Sequence, residues 1–232
     1  MSMYRSVMGR FNDRVLGFLF PIRCVGCGED GSILCPSCLP NLAKLEPPYC
    51  RICASSTDGR PVCEECQVSP LPIDGIRAPY LMDGPIRSAI HKLKYEDLRA
   101  AAPTLGRLLG EWLESRDLPG DCLAPVPLHP RRMRGRGYNQ SALLADHVSR
   151  ISGLPVKSLL KRTRDTPPQA NLGGRSQRQE NVEDGFTCRE DVRGAKVVLV
   201  DDVVTSGSTI AACAQALKKK GAASVWGIAL AR

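Results

Sequence analysis

Two rhythms of apolar residues alternate along this chain: short unbroken runs, and residues that recur every three or four positions. Val197, Val198, Leu199 and Val200 follow one another without a polar interruption, the pattern of a central parallel strand covered on both faces. Beyond them Ile210, Cys213, Ala214 and Leu217 recur at helical spacing until Lys218, Lys219, Lys220 and Gly221 signal a helix end. The helical rhythm also carries Ile86, Ala89, Ile90, Leu93 and Leu98 after a Gly84-Pro85 opening, then Leu105, Leu108, Leu109, Trp112 and Leu113, and, after Asn139, Leu143, Leu144, His147 and Val148. Apolar runs at residues 73–82, 122–126, 155–160 and 224–230 read as strands, the first with a hairpin as one arrangement. Strands alternating with helices imply an α/β fold with a parallel sheet.

Two stretches break the rhythm. Pro125, Pro127 and Pro130 deny a helix and predict a loop over residues 127–132. Over residues 161–184 apolar side chains nearly vanish, and Pro167, Pro168, Gly173 and Gly174 punctuate a long mobile loop. A loop of that length inside a compact domain points to function. At the front, Tyr4, Val7, Met8, Phe11, Val15 and Leu19 share one helical face that Pro21 ends. The expectation is an amphipathic helix over residues 1–20 that packs on its own protein rather than on a membrane. No apolar run approaches the ~20 residues of a membrane helix. Asp13 interrupts the basic front and no small-residue cleavage site follows, so no export signal is read and a cytoplasmic location is expected.

Cysteine changes the picture of the first third. Eight of the 11 cysteines form four C-x-x-C pairs: Cys24/Cys27, Cys35/Cys38, Cys50/Cys53 and Cys63/Cys66. In a chain read as lacking an export signal, such spacing argues for metal rather than disulfides. Each pair suits a tight turn that aims two thiolates at one ion while backbone N–H groups bond to the sulfurs. Two structural zinc sites with four thiolates each are predicted, and the short intervals favour sequential over cross-braced pairing. A thioredoxin-like redox pair is the weaker reading, because it needs one such pair on a βαβ scaffold. Cys122, Cys188 and Cys213 are expected as small buried apolar residues.

The formal net charge of +8 falls to about +4 when eight thiolates and two dications replace eight thiols. Basic and acidic side chains balance in residues 1–70, so the excess lies downstream. It concentrates between His129 and Arg178, where eleven Arg or Lys face Asp146 and Asp165. A general nucleic-acid surface would more often spread such charge over a face.

The candidate chemistry sits where the strand at residues 197–201 turns into the next helix. Asp201 and Asp202 end the strand, and Val203, Val204, Thr205, Ser206, Gly207, Ser208 and Thr209 lead into the helix. In such a turn backbone N–H groups and the helix dipole converge, and small hydroxyls with Gly207 let a phosphate come close. Carboxylates cannot bind phosphate, but they accept hydrogen bonds from neighbouring sugar hydroxyls. The bland alternative is that the two acids only end a strand and cap a turn. Neither a Gly-Lys-Ser/Thr P-loop nor a G-x-G-x-x-G turn is present here, which weighs against ATP hydrolysis and NAD binding. Residues 128–132 supply a second, basic turn, with Leu128, His129, Arg131 and Arg132 after the strand at 122–126; arginine gives bidentate bonds to phosphate oxygens.

The run from Val197 to Thr209 resembles the phosphoribosyl-pyrophosphate (PRPP) motif of type I phosphoribosyltransferases. The C-x-x-C-rich start, P-V-P-L-H, R-G-Y-N-Q, R-T-R-D-T-P-P-Q ending in R-Q-E-N-V, the V-D-D-V-V-T-S-G-S-T run and the terminal A-L-A-R resemble, in order and spacing, the ComF family of bacteria, which is linked to DNA uptake and transformation. The resemblance implies a parallel-sheet type I phosphoribosyltransferase domain over residues 71–232, preceded by a double zinc ribbon over 21–70. It implies that Asp201 and Asp202 hold ribose hydroxyls directly or through Mg2+, that residues 205–209 cradle the 5′-phosphate, and that Leu128, His129 and Arg131 face the pyrophosphate. Arg162, Thr166, Gln169, Arg178 and Asn181 fall in the loop that such enzymes close over the sugar. The acceptor is expected under a hood that includes the strand around Trp226.

Three functions remain open: a PRPP-binding transferase in DNA uptake, a nucleobase-salvage transferase, and a non-catalytic module that holds single-stranded DNA or a DNA-uptake helicase and keeps an inherited PRPP site. Purely structural ribbons docked on the sheet domain would unfold without zinc and leave PRPP binding measurable.

Overall fold

The computed structural model describes residues 22–96, 98–164 and 185–232. The helix expected over residues 1–20 and the loop positions Thr166, Gln169, Arg178 and Asn181 lie outside them. Among the described residues a four-stranded sheet has the order β1 (Gly75–Arg77), β6 (Ser224–Ala231), β5 (Lys196–Val203), β2 (Cys122–Pro125), and every neighbouring pair is parallel. On β5 the side chains alternate between faces as the pleat demands. Val197 and Leu199 enter one core with Cys213, Ala214 and Leu217 of the helix Ser208–Lys218. Val198 and Val200 enter the other, with Leu93, Leu105, Leu144 and Val148 of the helices Gly84–Tyr95, Ala101–Glu114 and Gln140–Ser152. Because both faces are covered, the strand reads as an unbroken apolar run. Each fully buried valine or leucine among them contributes about 1.5–3 kcal/mol of apolar transfer.

Helices Ala101–Glu114 and Gln140–Ser152 approach closely through glycine. A Cβ on Gly106 would stand 2.4 Å from His147 Cβ. His147 is therefore half-buried against that notch rather than pointing deep into the core. Gly106→Ala improves intrinsic helix propensity by about 1 kcal/mol, yet overpacking is expected to win and cost about 1–3 kcal/mol. A urea midpoint equal to or above that of the parent protein would contradict this.

Three expectations are corrected. Residues 73–82 form no hairpin; β1 pairs parallel with β6, and the antiparallel bridge at Tyr80 is made by Lys44 of the cysteine-rich segment. Residues 155–160 add only a parallel bridge, Val156 to Leu123, at the sheet edge, with strand structure starting at Leu160. The basic turn after β2 is a short helix, Pro130–Arg136, because Pro130 occupies the first turn, where the missing N–H costs nothing.

The cysteine-rich segment is not a separate bead. Ile33, Leu34 and Leu42 share a core with Ile86, Ile90 and Leu105. Cys50, Cys53 and Cys66 share the opposite core with Ile76, Leu199 and Cys213. Backbone bonds complete the docking: Ile76 N donates to Ile52 O at 2.7 Å and Leu81 N to Ala43 O at 2.9 Å.

Candidate phosphate pocket and cysteine clusters

Helix Gln140–Ser152 lies on one face of the sheet and helix Ser208–Lys218, which follows β5, on the other, so a crevice opens beyond the carboxyl ends of the adjacent strands β2 and β5. Open α/β sheets bind ligands at such a switch point. A cavity of about 230 Å³ lies there, and Asp201, Asp202, Thr205 and Thr209 come to it from the end of β5 and the turn beyond. Leu128, Arg132 and Arg136 come from the segment after β2, and Lys94 and Tyr95 from the end of helix Gly84–Tyr95. Lys94, Arg132, Arg136 and Arg162 outnumber the two carboxylates on its wall, which suits a polyanion carrying a polyol.

The acidic pair is held differently on its two sides. Ser141 Oγ donates to Asp201 Oδ1 at 2.8 Å, and the backbone N–H of Asp202 donates to the same oxygen at 2.9 Å. Ser141 is placed by Asn139, whose side chain caps helix Gln140–Ser152 by accepting from Ser141 N and donates to Val126 O at 2.9 Å. Asp202 is 3% exposed and faces Lys94, with Nζ 2.9 Å from Oδ1. Its other oxygen, Oδ2, is buried with no hydrogen-bond partner. An orphaned buried carboxylate oxygen on a pocket wall is an acceptor waiting for a donor or a cation.

Charge crowding shows in the titration of these groups. Burial first, and the neighbouring Asp202 charge second, push the Asp201 carboxyl up to about 7, against the pull of Lys94 and of its two hydrogen bonds. For Lys94, burial opposes the charged form, but Asp202 and then Asp201 overcome it and hold the ammonium above its ordinary value. Beneath the pair, burial and the Asp201 charge push the Cys213 thiol well up, so it is an inert packing residue.

The turn after the acids is built tightly. Gly207 has φ +80° and caps helix Ser208–Lys218, and Ser206 Oγ lies 2.8 Å from Ser208 Oγ. Thr205, Thr209 and Val203 reach the cavity, whereas Ser206, Ser208 and Val204 are buried behind it. A Cβ at Gly207 would meet Ile76 Cδ1 at 2.9 Å and Leu71 Cδ1 at 3.0 Å in a conformation that L residues rarely adopt. Gly207→Ala is expected to cost about 1–3 kcal/mol by chemical denaturation and to weaken anion binding; unchanged stability would contradict the tight turn.

Other expected residues take different places. His129 caps the helix Pro130–Arg136, its Nδ1 accepting from Arg131 N at 3.3 Å. Arg132 and Arg136, one turn apart on that helix, line the cavity, whereas His129 and Arg131 are not among the lining residues. Arg162 belongs to no loop: it ends β3 (Leu160–Arg162), paired antiparallel with β4 (Phe186–Cys188). Its stem is buried over Phe186, with the guanidinium carbon 5.3 Å from the ring centroid, and packing of that kind fixes a strand. Trp226 lies under Arg77 at 5.0 Å, outside the cavity lining. Cys188 is half-buried and its thiol donates to Glu190 O at 3.2 Å, so it is not the buried apolar residue expected.

Sequence reasoning missed Lys94, Tyr95, Arg136, Gln140 and Ser141 as pocket residues. A helical reading of Pro130–Arg136 would have put Arg132 and Arg136 on one face. Lys94 gives no such signal, since it reads as one more cation in a C-terminal helical turn.

The eight paired cysteines gather as Cys24, Cys27, Cys35 and Cys38, and as Cys50, Cys53, Cys63 and Cys66, the ligand atoms of each group within 4.8 Å of one another. The pairing is sequential. Burial would raise the Cys24 thiol, but backbone N–H groups of Cys35, Cys27 and Gly26 overcome it and hold the sulfur at about 6. The same balance holds Cys50 at about 6, through the backbone of Cys53, Cys63 and Ile52. Sulfur sets with amide donors aimed at them fit tetrahedral Zn2+.

This fold and these clusters define a phosphoribosyl transferase domain carrying a double zinc ribbon. Residues 139–232 match the phosphoribosyl transferase domain family, and residues 15–67 match the double zinc ribbon domain family. DNA utilization protein YhgH of Escherichia coli O157:H7 is 35% identical over 209 residues, covering 87% of this chain and 85% of that protein. Competence protein F of Haemophilus influenzae is 31% identical over 231 residues, covering 91% and 98%. The chain belongs to the ComF family, with these proteins as relatives. A solved structure described as the allosteric regulatory enzyme of purine biosynthesis aligns at 22% identity and a TM-score of 0.39 over 56% of this chain, and the match spans 25% of that enzyme. Among the described residues no helix is long and apolar enough to cross a membrane.

Proposed function

We propose that the crevice binds PRPP with Mg2+ and that the protein serves DNA uptake through that site. The observation that carries this reading is the buried Asp202 carboxylate, with one oxygen on Lys94 and the other unpartnered, beside a serine-glycine turn at a helix start. In this reading Asp201 and Asp202 accept from the ribose hydroxyls, Thr205 and Thr209 flank the 5′-phosphate, and Arg132, Arg136 and Arg162 meet the pyrophosphate. Asp201 and Asp202 would hold Mg2+, which would supply charge neutralisation for the pyrophosphate. Arg162 and Leu128 line the crevice, where exclusion of water matters because displacement at the sugar carbon competes with hydrolysis. No protein nucleophile is needed for that displacement.

The DNA-uptake part rests on the family, whose named members include competence protein F and a DNA utilization protein. Calorimetric titration of Mg2+ and PRPP is the direct test; heats that are absent, or the same in Asp201→Asn and Asp202→Asn variants, would end the ligand assignment. A nucleobase panel scored for PRPP-dependent pyrophosphate release separates a salvage transferase from a site that only binds.

One observation favours a binding-module reading. Arg131, Arg132, Arg134 and Arg136 crowd the seven-residue helix Pro130–Arg136, with exposed Met133 on it and Tyr95, 68% exposed, stacked beside Arg136. Cations around an exposed aromatic ring suit a single strand. Binding of an oligonucleotide that weakens steeply with salt and is lost in Tyr95→Ala supports it; salt-independent or absent binding rejects it. A helicase partner would be sought by co-purification from a competent host.

A further inference from the structure

The second cysteine cluster and the phosphate turn meet at one side chain, Arg232, directly after β6. Its backbone is fixed from both sides: Arg232 N donates to Tyr80 O at 2.9 Å, and Met82 N donates to Arg232 O at 2.7 Å. From there the guanidinium forks. One terminal nitrogen donates to the carbonyl of Thr205, the residue that opens the turn. The other donates to Ser55 Oγ and lies 3.9 Å from Cys53 Sγ. Ser55 Oγ is itself 3.1 Å from that sulfur. The rest of the turn leans on the same structure: Gly207 abuts Ile76 and Leu71, and Val204 is buried in one core with Cys50, Cys53 and Cys66.

We propose that Arg232 is a positioning residue that couples metal occupancy of the second cluster to the shape of the phosphate turn. A guanidinium holds its donors in one rigid plane, so it reaches Thr205 and Ser55 together only while the knuckle around Cys50 and Cys53 stays closed. Four thiolates around one dication carry about two negative charges, which hold the guanidinium in place. When the ion leaves and the knuckle opens, the Thr205 carbonyl loses its donor and the turn loosens. Thermodynamic reciprocity then requires an anion bound at the turn to tighten the hold on the ion. The first cluster packs on other residues: a Cβ on Gly26 would meet Cys38 and Pro85, neither of them part of the turn. The two ions should therefore respond differently. The ligand in this proposal rests on the PRPP reading, but the coupling does not.

The test uses the full zinc-loaded chain, with Arg232→Gln and Arg232→Lys. Zinc transfer to a chromogenic chelator reports each ion, and amide hydrogen exchange over residues 203–211 reports the turn. Starting from two bound ions, Arg232→Gln is expected to release one of them about tenfold faster and to exchange the turn about tenfold faster, with Lys intermediate and the release of the other ion unchanged. Saturating Mg2+ and PRPP should slow release of the sensitive ion in the parent and not in Arg232→Gln. Parent-like zinc release and turn exchange in Arg232→Gln overturn the coupling, whatever PRPP does. A parent protein that binds no PRPP removes the ligand reading alone, and the exchange and release rates still decide the coupling. Should Arg232→Gln fail to fold, Ser55→Ala, which removes only the shared hydroxyl, decides in the same way: faster release with faster exchange supports it, and unchanged rates overturn it.

Discussion

Asp201→Asn is expected to stabilise the ligand-free protein at pH 8 while sharply weakening the proposed binding of Mg2+ and PRPP. The folded carboxyl titrates at about 7 against an ordinary 3.8, so folding disfavours its ionised form. Between those values the folded state holds the proton that the unfolded chain gives up. Stability therefore falls as pH rises through that window, and the penalty is absent below it and complete above it. Asparagine keeps an oxygen to accept from Ser141 Oγ and from Asp202 N, and it brings no second charge beside Asp202. A gain of up to about 4 kcal/mol is expected at pH 8, shrinking towards zero near pH 4. Urea titrations across this range measure it, and a variant equally destabilised throughout would show that the pair is not strained. The loss of function follows from the same change: with one carboxylate gone, the cation and the ribose hydroxyls lose a charged acceptor, and affinity should fall by at least about 100-fold. Stability and function then move in opposite directions, as at sites that store electrostatic strain for a ligand.

Cys50→Ser is expected to damage the protein far more than Cys27→Ser, although both remove one of four sulfurs. Cys50 is fully buried in the core that also holds Leu199, Val225 and Leu217, whereas Cys27 is exposed at the rim of its cluster. At Cys27 a water can take the vacated position, and a loss of about 1–2 kcal/mol is expected. At Cys50 the incoming hydroxyl is buried among sulfurs and apolar side chains, and the ion that closes the knuckle is weakened with it; about 3–5 kcal/mol is expected. Calorimetric melting together with zinc content per chain measures both, and equal effects would refute the asymmetry. The same packing argues against ribbons that unfold on their own and leave the pocket intact. Chelation should lower PRPP affinity as well as melt residues 22–70, because Ile52 and Ser55 support β1 and the turn.

The central part of the fold was legible because strong local signals agreed. Four consecutive apolar residues, two acids and a hydroxyl-rich turn before a periodic helix allow few arrangements, and β5 with its helix follows them. The cysteine clusters were legible because C-x-x-C geometry is local. What was hidden was non-local. The pairing of Gly75–Arg77 with a strand some 150 residues away leaves no mark in a three-residue stretch. Arg162 sits among polar residues and reads as loop until Phe186 is seen beneath it. Lys94 became a site residue only when the helix ending at Tyr95 was placed against the end of β5. Pro130 misled because a proline that breaks a helix interior also begins a helix well.

The place of β6 in the sheet has a consequence for how the chain folds during its synthesis. It lies between β1 and β5, and β1 finds its strand partner nowhere else in the sheet. On the ribosome the ribbons and the first helices emerge long before the strand that unites them, so Ile86 and Ile90 can pack early on Ile33, Leu34 and Leu42 but wait for the cover that Ile228 and Leu230 of β6 add. β5 can pair with β2 earlier, but the four-stranded sheet is complete only after residues 224–231 emerge, and closing so long a loop is slow. During that interval the cysteine knuckles, whose ligand sets lie within short stretches of sequence, can already take up metal. A nascent chain stalled before Ser224 should therefore hold zinc with β1 still unjoined to β5 and depend on chaperones for its solubility.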